Sequence, residues 1–333
     1  MTSSGDDAAD LRGVVAVGGS AGGVEALTRL AAGLPVDLPY AILVALHLPR
    51  DAPSMLAQIV DRAGPLRAST ARNGERLRAG RIYVATPDRH LLVMDHRTLL
   101  STGPTENGHR PALNAMFRSA AVTFGPQAVG VLLSGVLDDG VLGLTAIRSR
   151  GGRTVVQSPD DALFPTMPMN AVAAGVVDRH VSASAIGALL TEFADEPLDE
   201  VAKEPDPTME LENRIAMASR FDAKFDTEAL GPPSGYTCPS CSGSLQEIDV
   251  GSYRCHVGHA WTAESLLSAR DDEIETALWV AMRSLQEKGR LARRMADRAS
   301  GALRRRYTDA AEEAERAVAV LAERLAGGEG GVD

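Results

Sequence analysis

Val14-Val15-Ala16-Val17-Gly18-Gly19-Ser20-Ala21-Gly22-Gly23-Val24-Glu25-Ala26-Leu27 runs from four consecutive apolar residues, through a glycine-rich break, into helical spacing. The apolar run reads as a buried strand and the residues after the glycines as a helix, which puts Ser20 on a sharp strand-to-helix turn. Gly18, Ser20 and Gly22 fit G-x-S-x-G, the pattern of a nucleophile elbow. Glycine on either side leaves room for a substrate and permits the backbone angles of such a turn. The helix start offers free N–H groups that suit an oxyanion. Phosphate-binding readings fail: no register places glycine at the first, third and sixth positions, and no Gly-Lys-Ser/Thr closes the run.

Outward from this turn, residues 11 to about 190 alternate short apolar runs with helical segments. Ala41–Ala45, Ile82–Ala85, Leu91–Met94, Val129–Leu133 and Thr154–Gln157 join Val14–Val17 as predicted strands. Val24–Leu34, Ser54–Arg62, Pro111–Ala121, Leu142–Arg148 and Ser184–Phe193 are predicted helices. The pattern predicts an α/β fold, a largely parallel sheet flanked by helices, with Ile82–Ala85 and Leu91–Met94 read as a hairpin on that sheet. The expected organisation is a disordered N-terminus over 1–10, a catalytic domain over 11–194, an acidic linker over 195–235, a Cys/His module over 236–265 and a helical tail over 266–327. Ser20 is so near the start of this sequence that no further domain is expected before it.

A serine hydroxyl needs a general base, usually histidine, oriented by a carboxylate. Of the seven histidines, His47 directly follows the strand ending at Leu46. Asp138 and Asp139 lie beyond the strand Val129–Leu133. In a parallel sheet the residues past the carboxyl ends of the strands gather in one crevice, so Ser20, His47 and one of the two aspartates meet there. A lone histidine after a strand is more often a surface residue, and Asp-Asp-Gly more often a turn or helix cap; it is their joint occurrence at three strand ends that points to catalysis.

The three cysteines lie within Cys238–Cys255. Cys238-Pro-Ser-Cys241 is a CxxC knuckle, and Cys255-His256-Val257-Gly258-His259 supplies a third thiolate and two imidazoles. Cys238, Cys241, Cys255 and His259 are the preferred ligands of a structural, ribbon-like zinc site; a Cys255/His256 alternative is strained by adjacency. A metal-free fold with buried thiols is the competing reading, and a redox role lacks a surrounding βαβ pattern. The ribbon is expected to unfold without metal while the α/β domain, with its own core, keeps a small-ester activity in chelator. In the tail, Ile274, Leu278, Ala281 and Leu285, and again Ala314, Val318, Leu321 and Leu325, each mark one helical face, with a break expected between Gly301 and Thr308.

With 333 residues and a net charge of −10, the chain is large enough for two domains and too acidic for nucleic acid to be its main partner. No run is long enough to span a bilayer, and the acidic first ten residues are not a signal peptide. The cytoplasm is the expected compartment.

Residues 11 to about 190 resemble the catalytic domain of the chemotaxis protein-glutamate methylesterases, the CheB family. The likeness rests on Gly18-Gly19-Ser20-Ala21-Gly22-Gly23, Ala45-Leu46-His47-Leu48-Pro49, Tyr83-Val84-Ala85-Thr86-Pro87 with His90, His109-Arg110-Pro111, Ser134-Gly135-Val136-Leu137-Asp138-Asp139-Gly140 and Met167-Pro168. The resemblance implies Ser20 as nucleophile, His47 as base and Asp139 as acid, with the N–H groups of Ala21 and Val136 binding the oxyanion and no catalytic cofactor. It implies hydrolysis of glutamate methyl esters on a chemoreceptor-like signalling protein, with glutamine deamidation by the same acyl chemistry, and docking of that partner through the ribbon and tail. Val136 and Leu137 stand where the family has methionine and glycine, and Asn114 where aspartate is common. A non-catalytic scaffold, and a serine hydrolase of a small ester, are the competing readings.

Overall fold

The computed structural model describes residues 11–48, 50, 54–197, 204–205, 207–218 and 231–327. The expected N-terminal tail over 1–10, Pro49 of the histidine motif, and residues 198–203, 206 and 219–230 of the expected linker lie outside them. A first compact unit extends to Ser265 and a second begins at Leu266.

The first unit is built on a seven-stranded sheet. In chain order its strands are β1 (Gly13–Gly19), β2 (Tyr40–Leu46), β3 (Arg67–Thr70), β4 (Arg81–Val84), β7 (Ala128–Leu132), β8 (Arg153–Gln157) and β9 (Arg179–Val181). Their spatial order is β3-β4-β2-β1-β7-β8-β9, with every neighbouring pair parallel. Such a sheet is covered on both faces, so its central strands are apolar throughout: every residue of β1, β2 and β7 is buried. Val14 and Ala16 belong to the core with α3 (Leu113–Phe124) and α4 (Val141–Ser149). Val15 and Val17 belong to the core with α1 (Gly23–Ala32), α2 (Leu56–Ala63) and α6 (Ile186–Asp195).

The expected hairpin is corrected. Ile82–Val84 lies in β4 of the main sheet, whereas β5 (His90–Met94) pairs antiparallel with β6 (Arg97–Ser101) in a separate two-stranded sheet. The five residues between the two runs allow either partner, and the apolar pattern does not distinguish them. Sequence periodicity also passed over the short edge strands β3 and β9, the helix α5 (Thr166–Ala173), and α7 (Pro207–Met217) within the expected linker. In α7, Met209, Asn213, Ile215 and Ala216 are buried.

The Cys/His module is a four-stranded antiparallel sheet, β10 (Pro233–Thr237), β11 (Ser244–Asp249), β12 (Ser252–Cys255) and β13 (Ala260–Thr262). It leads into α8 (Ala263–Arg298).

In the second unit α8 pairs with α9 (Gly301–Gly327), the turn being made at Gly301, whose φ is +59°. Ala292 and Ala296 of α8, and Ala311 and Ala314 of α9, are buried, and Arg293 pairs with Glu315 at 2.8 Å. Of the two predicted faces only Ala314 is fully buried, and Ile274 is exposed. Small alanines let two helices approach closely, so the seam follows them rather than the larger side chains.

Candidate active site

The strand order changes direction at β1, which has β2 on one side and β7 on the other. Ligands of open α/β sheets bind at such a switch point, beyond the strand carboxyl ends. Ser20 leaves β1 there, His47 leaves β2, and Asp139 lies in the loop after β7. The parallel register pairs Gly18 with Ala45 and Gly19 with Leu46, so Ser20 and His47 occupy the next rung, and His47 N–H donates to the Gly19 carbonyl at 3.2 Å.

The turn at Ser20 is clamped from behind. Ser20 N–H donates to the Ser134 carbonyl at 2.9 Å, and Ser134 Oγ donates to the Ala21 carbonyl at 2.8 Å. Gly22 adopts φ +70°, and a Cβ there would come within 2.6 Å of Ser134 Oγ. A Cβ on Gly135 would stand 3.0 Å from Ser20 Cβ and 2.8 Å from the end of Met167. Glycine at both positions is therefore a condition of the site. The N–H groups of Ala21 and Val136, expected to face an oxyanion, donate to no other group among the described residues.

His47 Nε2 lies 2.8 Å from Asp139 Oδ2. With Nε2–H given to the carboxylate, Nδ1 is left to accept a proton, the reverse of the nitrogen usage in chymotrypsin. Ser20 Oγ forms no hydrogen bond among the described residues, so His47 and Asp139 are joined directly while Ser20 stands on the adjoining rung; contacts of this kind often close only around substrate.

Asp139 is almost wholly buried at the N-terminus of α3. Its carboxylate accepts from Leu113 N–H at 2.8 Å, Asn114 N–H at 3.3 Å and Asn107 Nδ2 at 3.4 Å. Burial alone would raise its pKa, but the hydrogen bond and charge interaction with His47, the charge interaction with His109 and the Leu113 N–H outweigh it and hold the group below the ordinary carboxylate range. Helix N-termini favour anions for the same reason. Asp138 points elsewhere, accepting from Thr262 Oγ1 at 2.8 Å and Ser265 Oγ at 3.0 Å. Of the two aspartates left open by sequence, Asp139 is the one that meets His47.

His109, part of the family likeness but given no role by the sequence, is a further component. Its ring stacks on His47 with centroids 3.7 Å apart and planes 9° from parallel. Burial, and then repulsion from His47, lower its pKa to about 4, so it is a neutral wall holding the His47 ring flat. Asn114 is explained as well: its Oδ1 accepts from Gly140 N–H at 2.9 Å and Gly143 N–H at 2.8 Å, capping α4 in place of a side chain at Gly140. Leu137 adopts φ +61°, where the family's glycine would be unstrained.

Cys238, Cys241, Cys255 and His259 converge, with all ligand atoms within 4.8 Å of one another. Cys241 Sγ and Cys255 Sγ are 3.6 Å apart, and His259 Nδ1 lies 3.7 Å from Cys238 Sγ and 3.5 Å from Cys255 Sγ. Tetrahedral zinc with ordinary bond lengths requires edges of roughly 3.5–3.8 Å, so the donor set fits. Hydrogen bonding between the two thiols pushes Cys238 down and Cys255 up.

Comparison with known proteins identifies the family and the fold. The model of the CheB methylesterase family matches residues 15–190. The chain belongs to the CheB methylesterase family. A protein-glutamate methylesterase/protein-glutamine glutaminase of Geobacter sulfurreducens is 37% identical over 174 residues, 51% of this chain and 47% of that one. One from Anaeromyxobacter dehalogenans is 41% identical over 175 residues, 52% of this chain and 51% of its own. The CheB methylesterase catalytic domain of Thermotoga maritima superposes with a TM-score of 0.52 at 26% identity, covering 54% of this chain and 98% of that domain. The chain spans about half the length of the curated relatives it matches. The CheB match stops at residue 190, before the module and the tail.

Proposed function

We propose that this CheB-family chain is a serine esterase that hydrolyses glutamate 5-O-methyl esters on a signalling protein, and that the same acyl chemistry deamidates glutamine. The observation that carries the reading is the buried His47–Asp139 pair with Ser20 on the adjoining rung of the sheet. Ser20 Oγ attacks the ester carbonyl as His47 Nδ1 takes its proton, and the N–H groups of Ala21 and Val136 receive the oxyanion. His47 returns the proton to the departing methoxide, which leaves as methanol. Water, deprotonated by His47, then releases the glutamate from Ser20. Asp139 holds the imidazole in one tautomer and stabilises its cation. No step requires a cofactor.

Val136, Leu163 and Phe164 are exposed apolar residues beside the Ser20 turn, a surface suited to a polypeptide rather than a small ester alone. The Cys/His cluster would hold one structural zinc, cross-linking the turn after β10 to the turn after β12. No described helix is long and apolar enough to cross a membrane, and three free cysteines suit the cytoplasm. The test is methanol release from methylated candidate proteins. Release by the wild type and none by Ser20→Ala supports the reading; equal release by both contradicts it.

A further inference from the structure

The Cys/His module, part of the first unit, reaches the loop that carries Asp139. β13 bridges to residues 105–107, with Ala260 N–H donating to the Thr105 carbonyl at 3.2 Å and Asn107 N–H to the Ala260 carbonyl at 2.8 Å. The Asn107 carboxamide spans the two parts. Its Oδ1 accepts from Thr262 N–H at 2.9 Å, while its Nδ2 faces Asp139 Oδ1 at 3.4 Å. Asn107 is buried and adopts φ +52°, which asparagine tolerates better than most residues.

The other side of the loop is held as well. Thr262 Oγ1 accepts from Ser265 N–H, capping α8, and donates to Asp138 Oδ1, which also receives the Ser265 hydroxyl. Asn170 Nδ2 donates to the Leu137 carbonyl and to Glu264 Oε2, each at 3.0 Å. Three consecutive residues, Leu137 to Asp139, are thus gripped by groups from β13, the first turn of α8, or a side chain those elements hold. A loop with a left-handed leucine at its centre has reason to need such support.

We infer that β13 and the first turn of α8 form the rear support of the catalytic acid: Asn107 is a positioning residue for Asp139, and Thr262 and Ser265 fix the loop through Asp138. This rests on the esterase reading above. Loss of the Asn107 donor removes a hydrogen bond to the charged Asp139 carboxylate, which lets Asp139 take up a proton at higher pH and moves the acid limb of the rate profile upward.

The test uses the full chain, hydrolysis of p-nitrophenyl acetate across pH, and amide hydrogen exchange of the segment 134–141. In Asn107→Gly, which keeps the backbone angle, and in Thr262→Val, exchange of that segment quickens about tenfold and kcat falls about tenfold with little change in KM. Asn107→Gly in addition shifts the acid limb upward, which general loosening would not do. Thr262→Ser restores most of what Thr262→Val loses. If Asn107→Gly does not fold, the Thr262 pair decides alone. Folded variants with unchanged exchange, kcat and pH profile overturn the inference. A wild type with no Ser20-dependent turnover, but with exchange that still responds to Thr262→Val, would sink the esterase reading and leave the mechanical coupling standing.

Discussion

Asp139 carries two duties, anchoring the N-terminus of α3 and holding His47, and both use the same carboxylate. Asp139→Asn keeps the shape but offers His47 an amide that can stabilise the wrong tautomer. We expect kcat to fall by about three to four orders of magnitude, measured on a small ester, with the fold intact by circular dichroism. A loss under tenfold would remove Asp139 from the acid's role. His109 supplies a pH prediction. Its folded pKa of about 4 lies below the ordinary histidine value of about 6.5, so between those values the unfolded chain binds a proton that the folded chain refuses. Stability therefore falls as pH drops from about 6.5 to about 4, by as much as ~3 kcal/mol from this one group. Denaturant titrations of the wild type and His109→Gln check this: the variant should lose less stability over that window, and parallel curves would refute it. At this scale Ser20, His47 and the Asp138-Asp139 pair were legible because each follows an apolar run. Asn107 was not, and of His109 the sequence offered a motif without a role, since nothing in their local pattern shows which ring or carboxylate they face.

Among elements, the central strands were the most readable. Every residue of β1, β2 and β7 is buried, and continuous apolarity is what a doubly covered parallel strand requires. The three residues of β9 and the four of β3, at the sheet edges, carry no such signal, and the partner of β5 depends on tertiary contacts. The contact between β12 and α3 was equally invisible: Arg254 and Arg118, both buried, share Glu106, and each also faces Glu212 of α7. Glu106 is held below the usual carboxylate range, the two guanidiniums overcoming the upward push of burial. Removing one member of a buried ionic cluster leaves the others uncompensated. Arg254→Met should destabilise the first unit by about 3 kcal/mol, read from the urea midpoint. A change under ~0.5 kcal/mol would show that Arg118 alone satisfies Glu106.

At the scale of the whole molecule, the module's contacts lead to a different expectation from the one read from sequence. A separate ribbon would let small-ester activity survive chelation. With Thr262 and Ser265 seated on Asp138, and Asn107 between Thr262 and Asp139, metal loss is expected to lower that activity together with the protein-directed one. The check is to follow zinc release with a chromogenic chelator beside small-ester turnover and exchange of the 134–141 segment. All three should move together; full turnover after complete zinc release would restore the independent-ribbon view. The composition of residues 236–265 pointed to a metal-stapled module, but no local pattern says which surface such a module covers.

The central claim is that Ser20 is a nucleophile activated by His47 and Asp139. Its most direct test is intact-mass and peptide mapping after treatment with a fluorophosphonate, which modifies activated serines. One phosphonyl adduct, on the peptide containing Ser20, is predicted for the wild type, with labelling slowed by at least about a hundredfold in His47→Ala. Unmodified Ser20 in folded wild-type protein that still releases methanol from a methylated substrate would contradict the account.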